Sequence, residues 1–294
     1  DLGFAPLTLR NGMRVGIVDV PGHEKLIKNM VAGATGIDLV LLVIAADDGV
    51  MPQTREHLTI MQILGLRHGL VVINKVDAVE ADFVELVEDE VRETLKGTFL
   101  EDSAVVKVSS ITGDGFEELE EHLNTLVEKV RPRQVEGVFR MPVQRVFSPR
   151  GFGTVVTGIP VTGSAQLGDT LEIVPIGEKG RVRGIQAYKE QAETARAGHS
   201  AAINLSDIDY REVHRGMVLT QPGYFTGAKM FEARLHYLPG NHRVLKHQTT
   251  IRLHVGTAEL IGKVYLLERK ILEPGEEGYV QFRFEEPVVA APGD

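Results

Sequence analysis

The first 130 residues alternate between short apolar runs and longer stretches in which apolar residues recur every three or four positions. Strands are predicted where the chain is apolar almost throughout, as in parallel strands covered on both faces: residues 39–46, 69–73 and 104–108. Helices are predicted for four amphipathic stretches: 24–33, 54–64, 82–95 and 116–130. This alternation predicts βαβ units and therefore an α/β domain with a mostly parallel sheet.

A hairpin is predicted ahead of these units. Asn11-Gly12 is a strong hairpin signal, because both positions of a tight turn favour positive φ. The dipeptide lies between two alternating runs, at 7–10 and 14–19. We therefore expect two antiparallel strands, the second of which ends at Asp19.

Beyond Val135 the pattern changes to short alternating runs separated by Gly- and Pro-containing turns, and it predicts no helix. The predicted strands fall into two sets: 140–147, 154–157, 170–174 and 181–186, then a set that begins near Lys229 and includes 249–255, 261–267 and 279–284. Regularly spaced short strands indicate small antiparallel β-barrels. With a linker at Arg131-Pro132-Arg133 and a boundary near Pro222-Gly223, we expect three domains: 1–133, 134–226 and 227–294.

Composition narrows the classes of function. The 294 residues are 43% hydrophobic and 25% charged, with no Cys and a formal net charge of −9. These values exclude a disordered chain and a disulfide framework, and they argue against a protein that coats nucleic acid. No apolar run is long enough for a membrane span, so we expect no membrane association and a cytoplasmic location. Because the chain begins without Met and ends directly after a strand-like run, we expect a fragment.

Residues suited to phosphate chemistry follow the second strand of the hairpin. The carboxylate of Asp19 can hold a water bound to Mg²⁺, and Gly22 allows a backbone N–H to approach a terminal phosphate. His23 can orient a water for attack on phosphorus. The alternative for this segment is an ordinary strand-to-helix turn with an aspartate cap.

Residues suited to a purine base follow the next two apolar runs. Asp77 can accept hydrogen bonds from N1–H and the 2-amino group of guanine, Asn74 can bridge loops, and the stem of Lys75 can lie on the ring. Ser110, preceded by Ser109, can offer its backbone N–H to the guanine oxygen. Each segment alone is also compatible with a polar turn. The three strand-end segments in this order predict a guanine-nucleotide domain.

Longer motifs around these residues resemble the elongation factor Tu superfamily of translational GTPases. The similar segments are 19–23, 28–33, 47–57, 155–158 and 215–219. The resemblance covers essentially the whole chain and implies a partial α/β G domain, two β-barrels, bound GTP or GDP with Mg²⁺, and GTP hydrolysis stimulated by the ribosome. It implies His23 as the catalytic residue, Asp19 as the Mg²⁺ contact through water, and these nucleotide-binding residues: Asp19, Pro21, Gly22, Asn74, Lys75, Asp77, Ser109 and Ser110.

Finer features are similar to one branch of that superfamily, the selenocysteine-specific elongation factors. They lie at 1–4, 19–30, 253–259 and 264–267. This resemblance implies a monomer that delivers selenocysteinyl-tRNA to the ribosome. Two alternatives remain: another translational GTPase that carries a different aminoacyl or initiator tRNA, and a non-catalytic RNA-binding adaptor.

The predicted aminoacyl pocket supports the selenocysteine branch. Where the general factor carries two acids before Val-Phe, this chain has Gln144 and Arg145, followed by Phe147. A selenol is largely ionised at neutral pH, so a guanidinium there favours selenocysteine over serine. His214 and Arg215 belong to a segment that borders the same pocket in the superfamily. An exposed histidine and a structural arginine are the alternatives for these two. Gln144 departs from the Asp of the branch.

The last predicted domain is rich in basic residues with few acids among them: Arg234, His236, His242, Arg243, Lys246, His247, Arg252 and His254. This is a candidate face for tRNA phosphates, with Arg243, Lys246 and Arg252 as the proposed contacts. A solvated hairpin is the alternative.

Expected parts of the family are missing from this sequence. No Gly-x-x-x-x-Gly-Lys-[Ser/Thr] phosphate loop occurs in it, so we expect this chain alone to bind GTP poorly and to be inactive. We also expect the last barrel to lack its closing strand, and the winged-helix region that binds the mRNA selenocysteine insertion element to be absent.

Overall fold

The computed structural model describes residues 3–20, 31, 36–130, 133, 135–149, 151 and 153–294. Contacts divide the chain into two compact units, Asp1–Arg133 and Gln134–Asp294, and each is described by itself. The helix predicted at 24–33 lies, apart from Val31, outside the described residues.

The first unit contains a two-stranded hairpin, a parallel sheet and three described helices. The strands are β1 Gly3–Thr8, β2 Arg14–Asp19, β3 Val40–Ala45, β4 Gly69–Asn74 and β5 Val105–Lys107. The helices are α1 Pro52–Ile63, α2 Ala81–Leu95 and α3 Phe116–Lys129. Every described element lies within a few residues of its predicted position, because each carries a long and regular apolar pattern.

The parallel sheet has the order β3-β4-β5 and is covered on both faces. Val71 and Ile73 of β4 pack on one face against α1 and α2, whereas Leu70 and Val72 pack on the other against α3. Side chains alternate across a strand, so a strand that is buried on both faces must be apolar throughout. This explains the uninterrupted apolar run in the sequence.

The hairpin differs in detail from the prediction. β1 ends at Thr8, which pairs with Arg14, so the connection is five residues long rather than a two-residue turn. Only Gly12 of the dipeptide has positive φ, at 80°, while Asn11 accepts the N–H of Met13 with its side-chain oxygen at 2.9 Å. Asn11 thus stabilises the loop through its side-chain hydrogen bond. It does not adopt the left-handed backbone conformation that a two-residue turn requires. Within the described residues, the hairpin is not hydrogen-bonded to the parallel sheet.

The second unit begins with an antiparallel barrel. Its strands are β6 Arg140–Pro142, β7 Arg145–Phe147, β8 Thr154–Gly158, β9 Ser164–Gln166, β10 Thr170–Val174, β11 Glu178–Ala187, β12 Glu190–Ala192, β13 Thr194–Arg196, β14 Ala201–Leu205 and β15 Val218–Thr220. The main sheet runs β6-β15-β10-β11-β14-β8-β7. The predicted strand at 140–147 is therefore two strands. β6 pairs with β15 and β7 with β8, so this one run joins both ends of the sheet.

A second set of antiparallel strands follows: β16 Ala228–His236, β17 Leu245–Lys246, β18 Thr249–Val255, β19 Ala258–Leu266, β20 Ile271–Leu272 and β21 Glu277–Val288. Its main sheet has the order β16-β21-β19-β18, and β17 pairs with β20. Val264, Leu266 and Val280 form its core. The two sets of strands agree with the predicted fold class, and β15 and β16 flank the predicted boundary at 226–227.

No helix in the described part of the chain is long and apolar enough to cross a membrane.

Candidate functional site

The carboxyl end of β4 carries the residues predicted to bind the base. In a parallel sheet the carboxyl ends of all strands meet at one edge, so the segments after β3, β4 and β5 lie side by side. Asn74 is the last residue of β4, and the chain turns directly after it because Lys75 has a left-handed backbone with φ of 61°. A short 3₁₀ turn, Val76–Ala78, then carries Asp77.

The side chain of Asn74 joins two of these loops. Its Oδ1 accepts the backbone N–H of Lys75 at 2.8 Å and that of Ser110 at 3.2 Å, and its Nδ2 lies 3.4 Å from Ser110 Oγ. The predicted bridging role of Asn74 is thus present in the geometry. The Ser110 N–H, which we expected to face guanine, donates to Asn74 here.

Ser109 serves the loop itself. It is fully buried, and its Oγ accepts the backbone N–H groups of Ile111 at 3.2 Å and Thr112 at 3.0 Å. The hydroxyl therefore fixes the turn that presents Ser110. Gly115 ends the loop with φ of 77°, and a Cβ at this position would lie 1.9 Å from the carbonyl oxygen of Lys107. Only glycine fits there.

Lys75 has a partner that the sequence analysis did not assign. Its Nζ lies 2.9 Å from both carboxylate oxygens of Asp47, which follows β3, and 4.0 Å from Asp48. Hydrogen bonding to Lys75 lowers the pKa of Asp47, and the same bond raises the pKa of Lys75. Both groups are solvent-exposed, so water and salt screen the pair. The available signal was the position of Asp47-Asp48-Gly49 directly after a predicted strand.

Asp77 lies at the same carboxyl edge of the parallel sheet, in the 3₁₀ turn after β4. Its side chain is exposed and makes no hydrogen bond or ion pair with a described residue. A carboxylate without a partner, beside an asparagine that ties two loops and a lysine with a long apolar stem, fits a guanine base.

The predicted phosphate-side residues are described only in part. Pro21, Gly22 and His23 lie outside the described residues, and exposed Asp19 ends β2 in the separate hairpin. The described residues contain no group of three or more His, Cys, Asp or Glu side chains that could hold a metal ion. A single carboxylate that contacts Mg²⁺ through water remains a prediction.

In the second unit, β7 exposes Arg145 and Phe147 on one face. Gln144, the preceding residue, is only 8% exposed, because successive side chains point to opposite faces of a strand. Gln144 therefore does not share the face of Arg145. The Gln144 side chain is buried rather than exposed in the predicted pocket.

The turn that carries His214 and Arg215 lies beside this strand. Val143 N–H donates to the Met217 carbonyl at 2.9 Å, and Gly216 N–H donates to the Val143 carbonyl at 3.2 Å. Partial burial lowers the pKa of Arg215, Glu259 raises it, and the nearby Arg145 guanidinium lowers it again. The Arg145 guanidinium is thus near enough to affect the pKa of Arg215, and His214 is exposed.

Several basic residues of the last set of strands are paired with acidic side chains. Glu277 of β21 pairs with Arg234 and lies 3.2 Å from His236, and Glu259 of β19 pairs with Arg252. Few acids occur within the basic stretch itself, but these partners come from β19 and β21, which follow it in the sequence. Arg243 and Lys246 are exposed, and their side chains have no ionic partner among the described residues.

Family models match three successive parts of the chain. The elongation factor Tu GTP-binding domain matches residues 6–129, and elongation factor Tu domain 2 matches residues 153–220. The β-barrel domain of selenocysteine-specific elongation factors matches residues 232–294.

Curated relatives and solved structures agree with these matches. The chain is 47% identical over its full length to a selenocysteine-specific elongation factor from Desulfomicrobium baculatum, and 36% identical over 93% of its length to one from Escherichia coli. It spans 46% and 44% of those proteins, about half their length.

Among solved structures, a bacterial selenocysteine-specific elongation factor matches with a TM-score of 0.86 and 30% identity, over 100% of this chain and 48% of that one. Factor SelB from Methanococcus maripaludis, in complex with the GTP analogue GppNHp, matches with a TM-score of 0.84 and 28% identity, over 100% and 68%. Together with the three domain matches, these similarities show that the chain belongs to the family of selenocysteine-specific elongation factors.

Proposed function

We propose that this chain is the guanine-nucleotide and tRNA-binding part of a factor that delivers selenocysteinyl-tRNA to the ribosome and hydrolyses GTP there. The proposal rests on the family to which the chain belongs and on two groups of residues, one at the edge of the parallel sheet and one beside β7. We place its action in the cytoplasm, where ribosomes translate.

The first group holds the nucleotide. Asp77 accepts hydrogen bonds from the N–H groups of guanine, and the aliphatic stem of Lys75 covers the ring. Asn74 joins the loops that carry Lys75 and Ser110. Ser109 shapes the loop that carries Ser110, and the Ser110 backbone N–H ties this loop to Asn74. When bound, GTP supplies the phosphoanhydride bond that is hydrolysed.

The phosphate end of the nucleotide is assigned to the segment after β2. Asp19 is proposed to contact Mg²⁺ through water, Pro21 and Gly22 to allow a backbone N–H near the terminal phosphate, and His23 to orient the attacking water.

The single observation that carries the cargo assignment is that exposed Arg145 and Arg215 lie on two backbone segments joined by hydrogen bonds of Val143 with Met217 and Gly216, at 2.9 and 3.2 Å. Two guanidinium groups attract an anionic selenolate strongly. Their interaction with a neutral serine hydroxyl is much weaker. One charge-assisted hydrogen bond is expected to favour the affinity for selenocysteine over that for serine by about ten- to a hundredfold. Phe147, on the same face as Arg145, gives the pocket an apolar wall, and His214 is a second candidate donor.

The remaining assignments concern tRNA and domain organisation. Arg243 and Lys246 are the stronger candidates for phosphate contacts, because Arg252 is already paired with Glu259. We retain the division at 133–134 and 226–227, and a monomer as the acting form. Contact with the mRNA element is assigned to a winged-helix region outside this sequence.

The test uses the protein expressed from its complete gene and one tRNA charged with either selenocysteine or serine. Hydrolysis of each aminoacyl ester is followed with factor plus GTP and with factor plus GDP. We expect protection of the selenocysteine ester alone, and only with GTP. Arg145→Ala should weaken this protection about ten- to a hundredfold. Arg183→Ala, which removes an exposed arginine elsewhere on the same barrel, should leave it unchanged. Equal protection of both esters would indicate a general carrier, and protection of neither would refute the proposal.

A further inference from the structure

The β18–β19 hairpin contains the segment 253–259 and ends in a turn to which no role has yet been assigned. Its turn consists of Gly256 and Thr257, between the paired residues Val255 and Ala258. The turn does not face solvent, because Thr257 is only 5% exposed. It lies against the barrel that carries the proposed aminoacyl pocket.

One hydroxyl group connects this turn to both sides of the pocket. Thr257 Oγ1 donates to the carbonyl oxygen of Val143 at 2.6 Å and accepts the backbone N–H of Gly216 at 3.2 Å. Val143 lies two residues before Arg145 on the same run of chain, and Gly216 directly follows Arg215. The hydroxyl therefore sets the spacing between the two backbone segments from which the guanidinium groups project.

Close backbone packing supports the same arrangement. Gly216 has φ of 96°, and a Cβ on it would lie 3.0 Å from the Cα of Ala258. A Cβ on Gly256 would lie 3.3 Å from the ring carbons of Pro142. Two glycines thus let the hairpin approach the barrel closely enough for the Thr257 hydroxyl to reach both partners.

The strands on either side of the turn bring charged groups to the same place. His254 and Glu259 are directly opposed across the hairpin, and Glu259 pairs with Arg252. Burial lowers the pKa of His254, Glu259 raises it, and Arg252 and Arg215 lower it further. The hairpin therefore adds charged side chains next to Arg215.

We propose that Thr257 is a positioning residue of the aminoacyl pocket, which holds Arg145 and Arg215 at the spacing that selects an anionic side chain. The pocket is then built by both sets of strands. This inference rests on the proposed function and adds to it a residue that does not touch the cargo.

The test compares Thr257→Val with Thr257→Ser in the protein expressed from its complete gene. Valine keeps the shape of threonine and removes only the hydroxyl. The barrel should stay folded, since Gly216 N–H also points at the Val143 carbonyl, at 3.2 Å. We expect the preference for the selenocysteine ester over the serine ester to fall about two- to tenfold in Thr257→Val, the effect of one hydrogen bond. Thr257→Ser should restore it.

A matched control separates positioning from stability. Thr220 is another buried threonine of the second unit, and its Oγ1 donates to the Phe139 carbonyl at 2.7 Å. Thr220→Val should lower the stability of this unit to a similar extent and leave the ester preference unchanged. Guanine-nucleotide affinity should not change in either variant.

A double-mutant cycle with Arg145→Ala tests the mechanism. If Thr257 acts through the guanidinium pair, Thr257→Val should have no further effect on the ester preference once Arg145 is removed. Additive effects, an equal loss of protection for both esters, or an unchanged preference in Thr257→Val would each overturn the inference while the proposed function stands. Absence of GTP-dependent protection by the unmodified protein would overturn both.

Discussion

Substituting alanine for Gly115 tests whether the loop between β5 and α3 requires glycine at this position. Gly115 has φ of 77°, and the added Cβ would lie 1.9 Å from the Lys107 carbonyl oxygen and 3.2 Å from the Cα of Val108. Both neighbours are backbone atoms of the chain that enters the loop, so no side-chain rotation relieves the contact. Either this segment or the start of α3 must shift.

Gly113 provides a matched control in the same loop. Its φ is 86°, but a Cβ there would meet no atom within 4 Å. Gly113→Ala therefore carries only the left-handed backbone cost, about 1–2 kcal/mol. Gly115→Ala carries that cost together with a forced backbone shift, about 2–5 kcal/mol in total. The difference between the two variants isolates the contact with Lys107.

The two units can be followed separately in one denaturation experiment. All helices of the described residues belong to the first unit, so far-ultraviolet circular dichroism reports its unfolding. All six tyrosines lie at or beyond Tyr188, and there is no Trp, so intrinsic fluorescence reports the second unit. Gly115→Ala should lower the first transition more than Gly113→Ala does, leave the second unchanged, and weaken guanine-nucleotide affinity in the protein from its complete gene. Equal destabilisation by both variants would refute the reasoning.

Three further predictions follow from side-chain contacts. Asp47→Asn should weaken guanine-nucleotide binding slightly because it releases Lys75, and titration in increasing salt should make the difference disappear, since the ion pair is exposed. Burial, followed by a smaller effect of Arg196, lowers the pKa of His199. The unfolded state therefore binds the proton at a higher pH than the folded state does, and the free energy of unfolding should fall as the pH drops below about 6.5. Fluorescence-detected denaturation at several pH values should show a smaller fall for His199→Gln, and an identical fall would contradict this. Lys246→Gln should reduce by about one the slope of log affinity for tRNA against log salt, as measured by filter binding, whereas an unchanged slope would remove Lys246 from the tRNA contacts.

Several elements could be predicted closely from the sequence. β10 and β18 have the predicted bounds, 170–174 and 249–255, because each is a clear alternating run between turn residues. The helices α2 and α3 begin within one residue of their predicted starts. In these elements the local pattern and the tertiary environment favour the same structure.

The differences arise where a residue's partner is distant in sequence. The run 140–147 is one extended segment, but it divides into β6 and β7 because its two halves pair with different strands. The pairing of Lys75 with Asp47 depends on the parallel register of β3 and β4, and the partners of the basic residues come from β19 and β21. The position of Asp47 directly after β3 is the one signal for its pairing with Lys75, and the other pairings have no local signal.

The division of that run also determines the order in which the proposed aminoacyl pocket is assembled during synthesis. β6 cannot find its partner until Val218–Thr220 of β15 has emerged from the ribosome, so the barrel remains an open sheet with two unpaired edges while the intervening strands form. The hydroxyl of Thr257 arrives later still. The backbone of β6, shortly before Arg145 in the sequence, is therefore among the first parts of the second unit to be made and among the last to be paired. A nascent chain that stalls before Val218 would leave the edge of β6 free beside the proposed aminoacyl pocket.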